Sequence, residues 1–185
     1  MTQSIRQIEL TFSNAHSAYQ NIVDRIREAH ENSETIDQLE RDLVPQLMNL
    51  GRAGLEDFIT AAGDGDCGLE LTAQEQIVKR SEKKHRRVYR SVFGNLDIER
   101  YVYSSRAKTK ALVKPLDQKL GLPADEVSYV LEDWLGNLSV DMPFATATKW
   151  LKKTLGIEAK TSMAHRRAGK LGCLLYTSPS PRDRG

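Results

Sequence analysis

Val88-Tyr-Arg-Ser-Val-Phe-Gly94-Asn-Leu-Asp-Ile-Glu-Arg-Tyr-Val-Tyr103 is the stretch on which the fold turns. Val88, Arg90 and Val92 alternate with Tyr89, Ser91 and Phe93. Beyond Gly94-Asn95, Leu96, Ile98, Arg100 and Val102 alternate with Asp97, Glu99, Tyr101 and Tyr103. A period of two sends successive side chains to opposite faces, the mark of a half-buried strand. Glycine supplies the positive φ of a tight turn, so the two runs predict an antiparallel hairpin turning at Gly94-Asn95. A lone hairpin is marginal and needs a helix or another strand to pack on.

The surroundings of the hairpin read as helices. Residues 5–30 carry a weak helical pattern in Ala15, Ala18, Ile22, Ile26 and Ala29. Asn32-Ser33-Glu34-Thr35 is a break in which Ser or Thr can hold the first free amides of the next helix. Ile36, Leu39, Leu43, Leu47, Leu50, Gly54, Phe58 and Ala61 then form a stripe at steps of three and four. Pro45, lacking an amide, is expected to kink or divide that helix near Leu43. Gly63 is placed to cap it, and Gly63–Gly68 is a loop. Thr72 to His85 reads as a polar, basic helix or linker. The fold class is therefore mainly α with a small antiparallel β-hairpin.

Charge is unevenly distributed. Residues 1–75 hold 5 Lys/Arg against 14 Asp/Glu, a net of −9, whereas residues 76–114 hold 12 against 3, a net of +9. The basic run Lys79, Arg80, Lys83, Lys84, Arg86, Arg87 and Arg90, with Tyr89 and Phe93 beside it, supplies cations of the kind that contact phosphates. The competing reading is a solvated face, or docking of the basic centre on the chain's own acidic first segment. No apolar run reaches the roughly 18 residues of a membrane span, and no secretory signal opens the sequence. Cys67 and Cys173 cannot build a disulfide framework or a four-ligand zinc site by themselves. A reducing, cytoplasmic setting is the expectation.

After the connector Lys114–Pro123 comes an amphipathic helix with Val127, Val130, Leu131, Trp134, Leu135 and Leu138 on one face, and Asp125 and Glu126 in its first turn. Asp141 can cap a second helix that contains Pro143, Phe144, Ala147, Leu151 and Leu155 and ends at Gly156. Thr161 or Ser162 can cap a third, short and basic, running to about Leu171. That succession is a helix-turn-helix pattern. Its last helix would offer Ser162, His165, Arg166, Arg167 and Lys170 to the bases and phosphates of a major groove. An ordinary three-helix packing unit has the same pattern.

Asp64, Asp66, Glu70 and Glu75 have something of a calcium loop's spacing, but Leu69 stands where that loop needs glycine. A plain acidic turn is the better reading, and no third acid completes a catalytic set with Asp64 and Asp66. His16, His30, His85 and His165 show no ligand spacing and read as ordinary surface residues. No metal or catalytic residue is assigned.

Three blocks carry a family likeness. They are Arg90-Ser-Val-Phe-Gly94-Asn-Leu-Asp-Ile-Glu-Arg100-Tyr-Val-Tyr103, Pro115-Leu-Asp-Gln-Lys-Leu-Gly-Leu-Pro123 and Ser128-Tyr-Val-Leu-Glu-Asp-Trp134. Together with the Gly63–Gly68 loop they resemble the ISKra-type insertion-sequence transposases over roughly residues 36–172. The resemblance implies a protein of mobile DNA whose full-length members have an RNase H-like core, with an acidic triad holding Mg²⁺ for strand transfer. The acids of that core would follow the present segment, so no catalytic residue and no cofactor is carried over to it. The part present would bind double-stranded DNA at the element's terminal inverted repeats, as a homo-oligomer at the nucleoid.

Cys173-Leu-Leu-Tyr-Thr-Ser-Pro-Ser-Pro-Arg-Asp183 translates a transposase-based sequencing-library adapter codon for codon, so residues 173–185 are expected to be a non-native tail. The expected organisation is an acidic helical segment (1–75), a basic linker and hairpin (76–114), a helix-turn-helix-like unit (115–172) and that tail. The expected function is DNA binding by a transposase truncated before its catalytic core. The alternatives are a stand-alone helix-turn-helix regulator and a helical interaction module that binds no DNA.

Overall fold

Two long helices pack against each other before any strand begins. In the computed structural model, which describes residues 12–73, 75–105 and 113–157, they are α1 (Ser13–Glu31) and α2 (Ile36–Ala62). Contacts at both ends fix them as antiparallel. Near the start of α1, Asn14 Nδ2 and the Ala15 amide donate to the two carboxylate oxygens of Asp57 on α2, at 2.7 and 2.8 Å. At the other end Arg25 bridges Glu34 and Asp42. Phe12, at the N-cap of α1, provides no side-chain cap. The buried Asp57 therefore does for α1 what a capping residue normally does, satisfying an amide that has no partner within the helix.

Between the helices Ala18, Ile22 and Ala29 of α1 are buried, and Arg25 turns inward with them, while Ile26 points to solvent. On α2 the inward row is Leu39, Leu43, Gln46, Leu50, Ala53 and Asp57. Thr35 caps α2 through a reciprocal box: its hydroxyl accepts the Gln38 amide at 3.4 Å, and Gln38 Oε1 accepts the Thr35 amide at 3.0 Å. The expected division at Pro45 does not occur, and α2 runs from Ile36 to Ala62 as one helix. Gly63 ends it at φ +88°.

The segment expected to be a basic helix or linker is instead a second hairpin. Strands β1 (Glu70–Ala73) and β2 (Gln76–Arg80) pair antiparallel, from Glu70 opposite Lys79 to Ala73 opposite Gln76. A short strand β5 (Tyr103–Ser104) adds to the other edge of β2. Between them in sequence, β3 (His85–Ser91) and β4 (Gly94–Arg100) form the foreseen hairpin, but with its turn at Val92-Phe93. Ser91 Oγ makes that turn, accepting the Phe93 amide at 3.1 Å and donating to the Gly94 carbonyl at 2.9 Å. Gly94 takes φ +114° as the first residue of β4, not as the turn itself. The Phe93 ring lies on Gly51 of α2 so closely that a Cβ there would come within 2.4 Å of it. Seating Phe93 on the helix fixes where the hairpin folds over.

Leu96, Ile98, Val102, Tyr103, Val78 and Leu116 form the core under the strands. A fully buried Leu or Ile contributes roughly 1.5–3 kcal/mol of burial free energy. Leu116 comes from a one-turn helix, α3 (Pro115–Lys119). Residues 126–128 then run beside β3. The Arg90 amide donates to the Glu126 carbonyl (2.7 Å) and the Ser128 amide to the Arg90 carbonyl (2.8 Å). Asp125 and Glu126 thus lie before the next helix, not in its first turn.

The chain divides into two compact units, with the boundary after Ser128. The second holds α4 (Tyr129–Asp141) and α5 (Phe144–Leu155), packed on each other through Leu131, Leu135, Ala147 and Leu151. Only Met142 and Pro143 separate them, and Asp141 ends α4 rather than capping α5. Gly156, at φ +68°, closes α5 as the sequence predicted. The molecule is mainly helical with small antiparallel sheets.

Candidate nucleic-acid interface

The seven cations of the basic run lie on β2, on the loop after it and on β3, and six of them face a carboxylate. Lys79 Nζ meets Glu70 across the β1–β2 pair at 2.8 Å. Arg80 pairs with Asp66, and Lys84 with Asp64 at 3.0 Å. Both cations sit against the Tyr101 ring, Arg80 at 4.6 Å and Lys84 at 5.7 Å from its centre. Arg86 holds Asp97 with a two-pronged bond of 2.8 and 2.7 Å. Arg90 reaches Glu126 at 3.2 Å. Lys83 is exposed and has no ion pair among the described residues.

Arg87 is different, because it is withdrawn from the surface. It shares Asp117 with Arg100, at 2.6 Å to Oδ2, and donates to the carbonyl oxygens of Pro123 and Asp125. Arg100 grips the same carboxylate and also donates to the His85 carbonyl at 3.2 Å. The side chains of Arg87, Asp117 and Arg100 are 10%, 10% and 6% exposed. Arg100 and Asp117, 17 residues apart, thus form one buried ion pair.

The acidic turn is built into the same network. Asp64 Oδ1 accepts the Asp66 amide at 3.2 Å, and Asp66 Oδ1 accepts the Gly68 amide at 2.9 Å. Tyr103 Oη accepts the Cys67 amide and donates to the Gly68 carbonyl, each at 2.8 Å. The Lys84 ammonium, then the Asp66 amide, hold the Asp64 carboxyl below its ordinary range. The Gly68 amide, then Arg80, do the same for Asp66. Arg86 lowers Asp97. Asp64 in turn raises Lys84. With their oxygens given to cations and amides of the chain itself, Asp64 and Asp66 do not suit a metal. No group of three His, Cys, Asp or Glu that could hold one occurs among the described residues. No step of Mg²⁺-dependent strand transfer is assigned to any of them.

Ser162, His165, Arg166, Arg167 and Lys170 lie outside the described residues. The helix before them carries exposed cations that the sequence reading passed over: Lys149, Lys152 and Lys153 on α5, with Trp150 beside them. Their signal was available. They fall between the inward positions Ala147 and Leu151 and the helix end, where lysines also complement the helix dipole. Against phosphate, exposed Lys149 and Lys153 differ from Arg87, whose guanidinium is committed inside the fold. No helix of the described residues is long and apolar enough to cross a membrane. No family model, no curated protein and no solved structure matches this chain.

Proposed function

We propose that this chain binds double-stranded DNA through its second helical unit, as the DNA-recognising part of an insertion-sequence transposase acting at the nucleoid in the cytoplasm. The observation that carries the reading is the pair α4 and α5, joined by two residues and closed at Gly156, with Lys149 and Lys153 exposed on α5 and Arg166 and Arg167 following later in the sequence. Helix-turn-helix proteins place their recognition helix after such a turn, with flanking cations on the phosphates. The acids facing the run 79–90 support assigning it mainly to holding the first unit together.

Titrating labelled duplex DNA from the ends of the candidate element tests the reading. Specific binding that weakens with salt is the expected result, and Arg166→Ala with Arg167→Ala should reduce it. Absence of binding to any duplex at low salt would sink the proposal. Binding to an operator with no inverted repeats of a mobile element would favour a stand-alone regulator. The matched ion pairs of the first unit favour a second reading, a protein-interaction module. Failure of all duplexes combined with retained self-association would support it.

A further inference from the structure

Helix α5 carries a face that its packing on α4 does not use. Ala147 and Leu151 are buried on the side that meets α4. Thr146, Lys149, Trp150 and Lys153 recur at steps of three and four on another side of the helix, and all four are exposed. Trp150 is 45% exposed, with Lys149 beside it in sequence and Lys153 next to it on the helix surface. No Asp or Glu occurs from Met142 to Ile157. Neither lysine has an ion pair among the described residues.

That arrangement differs from the basic run of the first unit, where six of seven cations already face a carboxylate. The helix dipole favours cations in the last turn, Lys152 and Lys153, but Lys149 precedes that turn and an indole gains nothing from the dipole. Phosphate alone would account for the lysines and leave Trp150 without a role. What joins the three is a ligand that presents negative charge and a flat apolar surface within about one turn of helix. A nucleotide does so: its phosphate meets an ammonium while the face of its base stacks on the indole. Lys149 and Lys153 lie roughly 6 Å apart along the helix axis, so they can hold the backbone on both sides of the base that Trp150 covers. A paired duplex does not offer that base. Its base faces are stacked on their neighbours, and only groove edges and phosphates are open to a helix. An unpaired strand offers every base face, and stacking there tolerates any sequence.

We propose that the face formed by Thr146, Lys149, Trp150 and Lys153 holds an unpaired stretch of DNA strand, with Trp150 stacked on a base and the two lysines on the flanking phosphates. The inference rests on α5 as a DNA surface and goes beyond it in naming unpaired bases as part of the ligand.

Fluorescence titration of the whole chain carrying Trp134→Phe tests it, because Trp150 is then the only tryptophan. Three probes are compared at low salt: a blunt duplex, the same duplex with an unpaired oligothymidine tail, and oligothymidine alone. The tailed duplex should bind at least about fivefold tighter than the blunt one, the effect of one stacked base, and should quench Trp150. Trp150→Ala should abolish the preference, bringing the tailed duplex down to the affinity of the blunt one, and Trp150→Phe should restore part of it. Equal affinity for blunt and tailed duplex, or unquenched Trp150 emission, overturns the inference and leaves duplex binding standing. So does an indole already shielded from acrylamide in the free chain, which would mean that other residues of the chain cover it. Oligothymidine bound with quenching, while no blunt duplex binds, keeps the inference and sinks the duplex reading. No binding of any probe overturns both. If Trp150→Ala unfolds, the ratio of tailed to blunt affinity and the quenching in the Trp134→Phe chain still decide.

Discussion

At the scale of single residues, two glycines three positions apart in α2 have opposite surroundings. Gly51 lies under the Phe93 ring, and a methyl group there would have to displace it. Gly51→Ala should destabilise the first unit by about 1–3 kcal/mol, the cost of overpacking, when followed by urea unfolding. Gly54→Ala, where a Cβ meets nothing within 4 Å, should stabilise by up to about 1 kcal/mol through helix propensity alone. Equal effects at the two sites would refute the assigned packing of Phe93. The same ring explains why the turn was misplaced in the sequence. Gly94-Asn95 has the residues a tight turn prefers, but the bend moved to Val92-Phe93, where Ser91 bonds across it and α2 receives the ring. That contact joins positions 42 residues apart, and no local pattern records it.

At the scale of elements, apolar spacing was readable and ionic wiring was not. The helices α1 and α2, the β3–β4 alternation and the end of α5 at Gly156 all follow from local sequence. But Ile26 of the expected α1 stripe and Ile36, Leu47, Phe58 and Ala61 of the expected α2 stripe are exposed, because Arg25, Gln46 and Asp57 take inward positions instead. The β1–β2 hairpin escaped because Val78 is its one buried side chain, among residues whose charge suggested a helix or linker. The Thr35–Gln38 box escaped because Ser33, two residues earlier, competes for the same role. The partners of the basic run were also hidden, since Asp117 and Arg87 meet only through the fold. Asp117→Ala should cost about 3–5 kcal/mol, because it leaves two guanidinium groups buried without a counter-charge. Replacing Arg87, Arg100 and Asp117 together by apolar residues of similar volume should recover much of that loss in thermal melts. No recovery would mean that the hydrogen bonds to the His85, Pro123 and Asp125 carbonyls matter more than the charges.

Acid should act on the same wiring. Asp64, Asp66 and Asp97 are held below the ordinary carboxylate range in the fold. The unfolded chain therefore takes up these protons first. Their stabilisation is fully present above the unfolded value of about 4 and is lost as pH falls through the lower folded values. Melting temperature against pH should drop in that window, and Asp64→Asn should shrink the drop. A profile identical to the wild type would remove Asp64 from the account. All three groups are well exposed, so solvent screens each pair and the individual effects will be small.

At the scale of the whole molecule, cations with internal partners and cations left at the surface should separate in a salt titration. Removing a single phosphate-binding cation should flatten the slope of log affinity against log salt by roughly one. Lys149→Ala and Lys153→Ala are expected to flatten it for all duplexes alike, whereas Arg87→Ala should reduce stability before it alters the slope. If Lys83, Lys84 and Arg86 carry the slope instead, the strand region is the DNA surface and α5 is not. The sequence located the positive charge correctly. It could not distinguish charge offered to solvent from charge already matched, because matching is a property of three-dimensional neighbours.

The bond from Asp57 to the start of α1 also bears on the order of events during synthesis. The first helix leaves the ribosome well before the carboxylate that holds its leading end, which follows more than 40 residues later. Until then that end has no side-chain cap of its own and must fray, as short isolated helices do. The earliest helix of the described chain thus waits on the second for its leading end, and a nascent chain arrested before Asp57 would present Ala18, Ile22 and Ala29, buried in the fold, on an unanchored helix.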